Sequence, residues 1–308
     1  MDHHLYEMKE EEKYGFINKQ GQWVIPPMYK RTSNFSEGLA CVKTFDNKRG
    51  YINIHNEMVI ELCSAEYLGD FSHGLAIISL NGKYGCINKN GQFAAAPRFD
   101  SIYAINSSSS YSAEVSGKWG LFDRNAKEII KPIYDSLGTF SEGLAFFENS
   151  GKCGFIDEHG DVVIKSIFLD VSSFSGGLAS VSLDGENYGF INKLGEFVIP
   201  PKYYQLKDFS EGLAGFRTKT GGKWGYLNTS GEEVIKTKFQ SVWAFKEGLA
   251  PVESKERYGY IDRKGKFIWK NAFLVAHEFY YGLGRINFDG EWGYINPQGE
   301  WIYKPKGF

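Results

Sequence analysis

The side chains best suited to nucleophilic, redox or metal chemistry are sparse: four cysteines and six histidines in 308 residues. Cys41, Cys63, Cys86 and Cys153 lie far apart, and no Cys-x-x-Cys pair exists, so the spacing speaks against a zinc site. Cys86 and Cys153 stand where other parts of the chain carry aromatic residues. That reads them as buried thiols in reduced, cytoplasmic surroundings. His3 and His4 adjoin at the N-terminus, His55 and His159 fall in turns, and His73 replaces a Glu. None has a Cys or Asp partner at a catalytic spacing. A nucleophile elbow, a Walker loop and a dinucleotide fingerprint are all absent. Gly151-Lys152 and Gly221-Gly222-Lys223 resemble phosphate loops, but each recurs before a strand, where turn chemistry explains it. The expectation is a non-enzyme with no catalytic residue, no cofactor and no metal.

Two charged rows remain. Lys13, Arg49, Lys83, Lys118, Lys152, Lys223 and Arg257 occupy one repeated place, and Glu37, Glu142, Glu211 and Glu247 another. A repeat sets equivalent residues in line, so a basic row and an acidic row are expected on separate lines. Either they form a partner surface, or they are solvated strand edges that discourage sheet-to-sheet pairing. Thirty-five Lys and Arg against thirty-seven Asp and Glu leave a charge of -2, which argues against a non-specific nucleic-acid binder. No apolar run approaches the ~20 residues of a membrane helix, and the charged N-terminus shows no secretory signal.

The elements that must position these residues follow from a repeat. A Gly followed by two apolar residues occurs at Gly15, Gly50, Gly85, Gly120, Gly154, Gly189, Gly225, Gly259 and Gly293. The period is close to 35 residues, with no room for a linker, which overrides a length-based expectation of two domains. The expected copies are 1–37, 38–73, 74–107, 108–142, 143–176, 177–211, 212–247, 248–281 and 282–308, within one domain of residues 1–308.

Each unit opens with Gly-Leu-Ala, as at Gly38-Leu39-Ala40, where Ala40 and Val42 share one strand face. A polar turn and a second strand follow, as in Trp224-Gly225-Tyr226-Leu227. Then comes Asn or Asp in all nine copies, from Asn18 to Asn296, with Gly three positions later in seven. That pattern predicts a type I turn closed by a left-handed residue. Ala126 replaces the Gly in the fourth copy, which predicts a distorted hairpin there. A third strand such as Val198-Ile199 is expected to end at Pro200-Pro201. The closing segment, with aromatics six apart such as Tyr203 and Phe209, reads as a short fourth strand or a crossover. Asn106 to Ser110 breaks the pattern and predicts a mobile, exposed loop before the strand of Tyr111, Ala113 and Val115. Neighbouring copies must share a core, because ~35 residues cannot bury one alone. Phe140 and Leu144 are expected at one such junction, with Glu142 between them facing water.

Lys118-Trp119-Gly120 and Lys223-Trp224-Gly225, with Phe-Ser-Glu-Gly-Leu-Ala at 35–40, 140–145 and 209–214, resemble the WG-repeat (KWG repeat) family of bacteria. The resemblance implies an all-β tandem repeat. The expected fold is about nine antiparallel β-meander units of 35 residues, as propeller-like blades in an open superhelix or a weakly closed ring. It further implies a scaffold that binds another protein, with a regulatory or immunity role within range. The alternative is a small-ligand or carbohydrate binder using exposed aromatic rows. Burial of Trp119, Trp224 and Trp292 would weigh against that alternative. Nucleic acid and membrane are not expected partners.

Overall fold

The computed structural model describes residues 4–105 and 110–304. They are all β, with nine small antiparallel sheets and no helix. No helix among them is long and apolar enough to cross a membrane. The chain divides into two compact units, Met1–Phe140 and Ser141–Phe308, each described by itself. The first holds sheet one (strands Tyr6–Glu10, Lys13–Ile17 and Trp23–Tyr29) and the four-stranded sheets two (31–61), three (67–99) and four (101–134). The second holds sheet five, with long strands Leu144–Asn149, Lys152–Asp157 and Val162–Phe168, then sheets six (170–203), seven (205–239), eight (241–273) and nine (275–303).

Sheet seven shows the plan. Its strands are Gln205–Leu206, Leu213–Arg217, Trp224–Asn228 and Glu233–Phe239, paired in that order. The closing segment of the sequence repeat is therefore the short first strand of the following sheet. The Asn/Asp turns fold as expected. In all nine copies the side-chain oxygen accepts backbone N–H groups two and four residues on, as Asn228 does from Ser230 and Glu232 at 3.1 and 2.9 Å.

Two local expectations are corrected. The third strand does not stop at proline: Phe197–Tyr203 runs through Pro200 and Pro201 across a register shift. Proline's missing N–H is tolerated there because the strand is bulged and lies at a sheet edge. The bulge also explains the recurring glycine. A Cβ on Gly225 would stand 2.4 Å from the Ile235 carbonyl oxygen, and one on Gly120 2.5 Å from that of Ile130. Ala126 does not distort its hairpin. It adopts φ 62 and keeps its turn bond to Asp123 O at 3.0 Å, so the residue itself bears a strain of about 1–2 kcal/mol. Asn106 to Ser109 lie outside the described residues, while Tyr111–Val115 forms the expected strand.

The core lies between sheets. Leu213, Trp224, Tyr226, Ile235 and Phe239 of sheet seven pack with Val242, Phe245, Ala250, Val252 and Ile261 of sheet eight. Sheets six and seven meet the same way through Leu178, Phe190, Ile199 and Tyr203 against Phe209, Ala214, Phe216 and Leu227. The small Ala of each opening is fully buried at this approach, as Ala214 and Ala250 are. One expectation is overturned here. The Phe and Leu four apart at a corner serve different cores: Phe209 joins the core before its sheet and Leu213 the core after it. Alternation explains this, since the corner reverses the chain between the two faces.

The close approach yields a test. Gly225→Ala must push the bulged strand away from Trp224–Asn228. It is expected to cost about 3 kcal/mol or more, measured by urea denaturation. A cost below ~0.5 kcal/mol would mean that the glycine is not set by the bulge.

Candidate functional site

The corner Phe-Ser-Glu-Gly-Leu is a two-residue hairpin. Ser210 N–H donates to Leu213 O at 2.9 Å and Leu213 N–H to Ser210 O at 3.0 Å, with Glu211 at φ 50 and Gly212 at φ 76. A positive φ is natural for Gly but strained for Glu, as it is at Glu37, Glu142 and Glu247. What these carboxylates reach accounts for their presence. Glu37 Oε2 accepts the Gly74 N–H at 3.0 Å, and Glu142 Oε2 that of Gly177 at 3.1 Å. Glu211 accepts from Gly248 at 3.0 Å, and Glu247 from Gly282 at 2.8 Å. Each donor is the corner glycine of the next sheet. The serine works in parallel: Ser36, Ser175 and Ser210 hydroxyls donate to the carbonyls of Phe71, Phe209 and Phe245 at 2.6 to 2.7 Å. A cation from the next sheet's Asx turn closes the arrangement. Lys89 Nζ lies 3.0 Å from Glu37, Lys193 Nζ lies 3.3 Å from Glu142, and Arg263 donates to the Glu211 carbonyl at 2.7 Å.

The acidic row is thus a series of clasps between successive corners: Glu142 is exposed, as expected, and is also held by Gly177 and Lys193. Neither sequence-based reading of the row included this role. The signal was present as a separation of 35 to 37 residues between Glu and Gly, but nothing local marks it.

The basic row is mixed. Lys83 pairs with Asp100, Lys118 with Asp135, and Arg257 with Asp289 at 3.4 Å. Lys13, Lys152 and Lys223 are exposed. Arg49 belongs elsewhere: it lies opposite Lys43 as Tyr84 lies opposite Ser79, so it holds the aromatic place of its sheet. Its guanidinium donates to the Ala65 carbonyl at 2.7 Å.

Cys86 and Cys153 are buried free thiols, and burial pushes the Cys86 thiol up to about 12. Among the described residues, no group of His, Cys, Asp and Glu could hold a metal ion. The aromatic row is largely occupied by its own protein. Trp224 is 7% exposed, with Arg217 and Lys207 at 5.1 and 5.5 Å from its ring. Trp292 is half-buried under Arg285 at 4.6 Å, and Trp119 is half-buried.

A wide cleft lies in the second unit, where the corners depart from the pattern. Lys246 replaces Ser in sheet eight, and Tyr280-Tyr281 replaces Ser-Glu in sheet nine. A cavity of about 700 Å³ there is lined by Trp243, Lys246, Glu247, His277, Tyr280 and Tyr281, among others. Tyr280 and Tyr281 are 58% and 49% exposed and pack edge to face at 4.4 Å. Burial and the nearby Arg285 hold His277 below its ordinary value, which favours a neutral imidazole near pH 7. Sequence reading missed this cleft because nothing local marks Lys246 and Tyr280-Tyr281, 34 or more residues apart, as lining one space.

Nine successive segments match the family described as WG containing repeat: residues 14–48, 50–84, 84–113, 119–153, 154–186, 188–224, 224–257, 258–292 and 292–306. No curated protein matches the sequence. Among solved structures, the fold is similar to one described as the crystal structure of the eukaryotic initiation factor. That match has TM-score 0.65 and 10% identity, covering 99% of this chain and 100% of that one. BamB from Moraxella catarrhalis matches at TM-score 0.49 and 10% identity, over 94% of this chain and 92% of that one. At such identities the likeness is one of fold.

The clasp predicts a pH signature. Burial alone would raise the Glu37 carboxyl, but Lys89 and the Gly74 N–H outweigh it and hold it below its ordinary value. A carboxylate depressed on folding adds stability above its unfolded value, near pH 4.3, and loses it as pH falls through the folded value. Glu37→Gln should therefore lower the urea midpoint at pH 7, and the gap to the unaltered protein should close in acid. An equal gap at pH 7 and in acid would contradict the ionic clasp.

Proposed function

We propose that this chain, which belongs to the WG-containing repeat family, is a non-enzymatic scaffold that binds a protein partner through the aromatic cleft of its second unit. One observation carries the reading: around the cleft, exposed Lys246, Tyr280 and Tyr281 stand where other corners carry Ser, Ser and Glu, while Glu247 keeps its clasp on Gly282. Tyr and Trp beside a few charges are the composition of interface hot spots. The exposed lysines Lys13, Lys152 and Lys223 are candidates for further contact with a partner. The four cysteines are free thiols, which supports a cytoplasmic setting, and a regulatory or immunity role is one use of such a scaffold.

The same cleft favours a second reading, a neutral carbohydrate stacked on Trp243 and the tyrosines, with Lys246 bonding its hydroxyls. A photo-crosslinking amino acid placed at Tyr281, in cells that make the protein, separates the two. The scaffold reading expects a discrete protein adduct at Tyr281 and none with the same residue at exposed Lys165. Absence of a protein adduct from a properly folded variant contradicts it. A melting temperature raised by cellohexaose or chitohexaose would then favour the carbohydrate reading.

A further inference from the structure

The second sheet carries an arrangement that the other sheets lack. Arg31 lies directly opposite Lys43, and Lys43 directly opposite Arg49, so three cations stand abreast on one face of three adjacent strands. The matching row is Ser101, Glu114 and Trp119 in sheet four, and Ser241, Glu253 and Tyr258 in sheet eight. Like charges at directly opposed positions destabilise a sheet. Among the described residues, no ion pair joins Arg31, Lys43 or Arg49 to a carboxylate. Glu66 is the acidic residue among the groove's walls, and its Oε2 is taken by the Gly82 N–H at 2.9 Å, while Glu7 accepts from the Thr32 hydroxyl at 2.9 Å. Lys30 adds to the positive field, and Lys43 is held below its ordinary value by desolvation and by Arg49, Lys30 and Arg31.

The three cations line an open groove of about 310 Å³, with Cys41, Glu66 and Tyr67 among its other walls. With strands ~4.8 Å apart, the row runs about 10 Å. One phosphate or carboxylate spans only part of that length. Side chains two apart on an extended peptide are about 6.8 Å from one another, so two acidic side chains match the row. Arg31's planar fork suits a carboxylate held in a pair, and Arg49, whose Nη1 donates to the Ala65 and Glu66 carbonyls at 2.7 and 3.2 Å, offers its remaining N–H groups.

We propose that the Arg31–Lys43–Arg49 row is a binding site for an acidic, extended segment of a protein partner. The inference rests on the reading of the chain as a protein-binding scaffold, and places a second contact in the first unit. Bound carboxylates would remove the repulsion that the free row sustains. Stability and binding then oppose each other at Lys43, which a purely structural role would not produce.

The test uses the full chain and a fluorescein-labelled peptide of alternating Glu and Ser, followed by anisotropy. Binding should weaken as salt rises from about 0.05 to 0.2 M. Lys43→Glu should weaken it about tenfold or more, and Lys165→Glu less than about twofold. Lys43→Glu should also raise the melting temperature, because it turns two like-charge pairs into opposite ones. Should that variant misfold, Arg31→Glu on the exposed first strand carries the same expectation for binding. No peptide binding, or equal binding by properly folded Lys43→Glu, overturns the proposal. Tripolyphosphate binding more tightly than the peptide also overturns it, in favour of a phosphoryl ligand. A protein adduct at Tyr281 that persists in Lys43→Glu, with no peptide binding by the unaltered chain, would sink this inference alone and leave the scaffold reading standing.

Discussion

The contact on which the rest depends is an aromatic pair between sheets. The corner Phe of one sheet packs against the aromatic that follows the recurring glycine of the sheet before. It does so at Phe16–Phe35, Tyr51–Phe71, Phe155–Phe174, Phe190–Phe209, Tyr226–Phe245 and Tyr260–Phe279, with ring centroids 4.6 to 5.0 Å apart. Such pairs contribute roughly 0.5–1.5 kcal/mol beyond the area they bury. A four-stranded sheet of about 35 residues has no interior of its own, so its stability comes from these shared faces. The other recurring features serve that contact. The glycine lets the bulged third strand close over its neighbour, the small alanine lets the next sheet approach, and the corner clasps lock successive corners together.

This arrangement separates what the repeat needs from what it leaves available. Ser and Glu at the corners are committed to the next sheet, and most of the Trp-Gly aromatics are covered by cations or by core. Departures from the pattern are where binding chemistry can collect at little structural cost. Tyr280 and Tyr281 depart at a corner, and Arg49 departs at the aromatic place of its sheet. Both departures line grooves.

Much of the fold was legible in the sequence because its signals are local. Asn228 and Gly231 lie three apart and make one turn; Ala250 and Val252 lie two apart and share one face. The WG-repeat resemblance and the all-β architecture rest on such spacings. The errors came where the partner is distant. Glu142 is exposed as read, but its bonds to Gly177 and Lys193 went unseen because those residues are 35 and 51 positions away. A corner Phe and Leu such as Phe140 and Leu144 looked like one contact because they are close in sequence, although at the equivalent corner a hairpin turns Phe209 and Leu213 to opposite faces. Pro200 looked like a stop because a bulge cannot be read without the strand it faces. Of the candidate surface, the residue types and the rows were legible. Which charges already have partners was not.

The central claim is that each core is shared by consecutive sheets, with the corner Phe and Leu divided between two of them. A double-mutant cycle in the second unit tests it most directly. Leu213→Ala and Phe245→Leu, 32 residues apart but in one core, should show a coupling energy above ~0.5 kcal/mol in urea denaturation. Phe209→Leu and Leu213→Ala, four residues apart but in different cores, should add within ~0.3–0.5 kcal/mol. Strong coupling of the second pair together with additivity of the first would contradict the account.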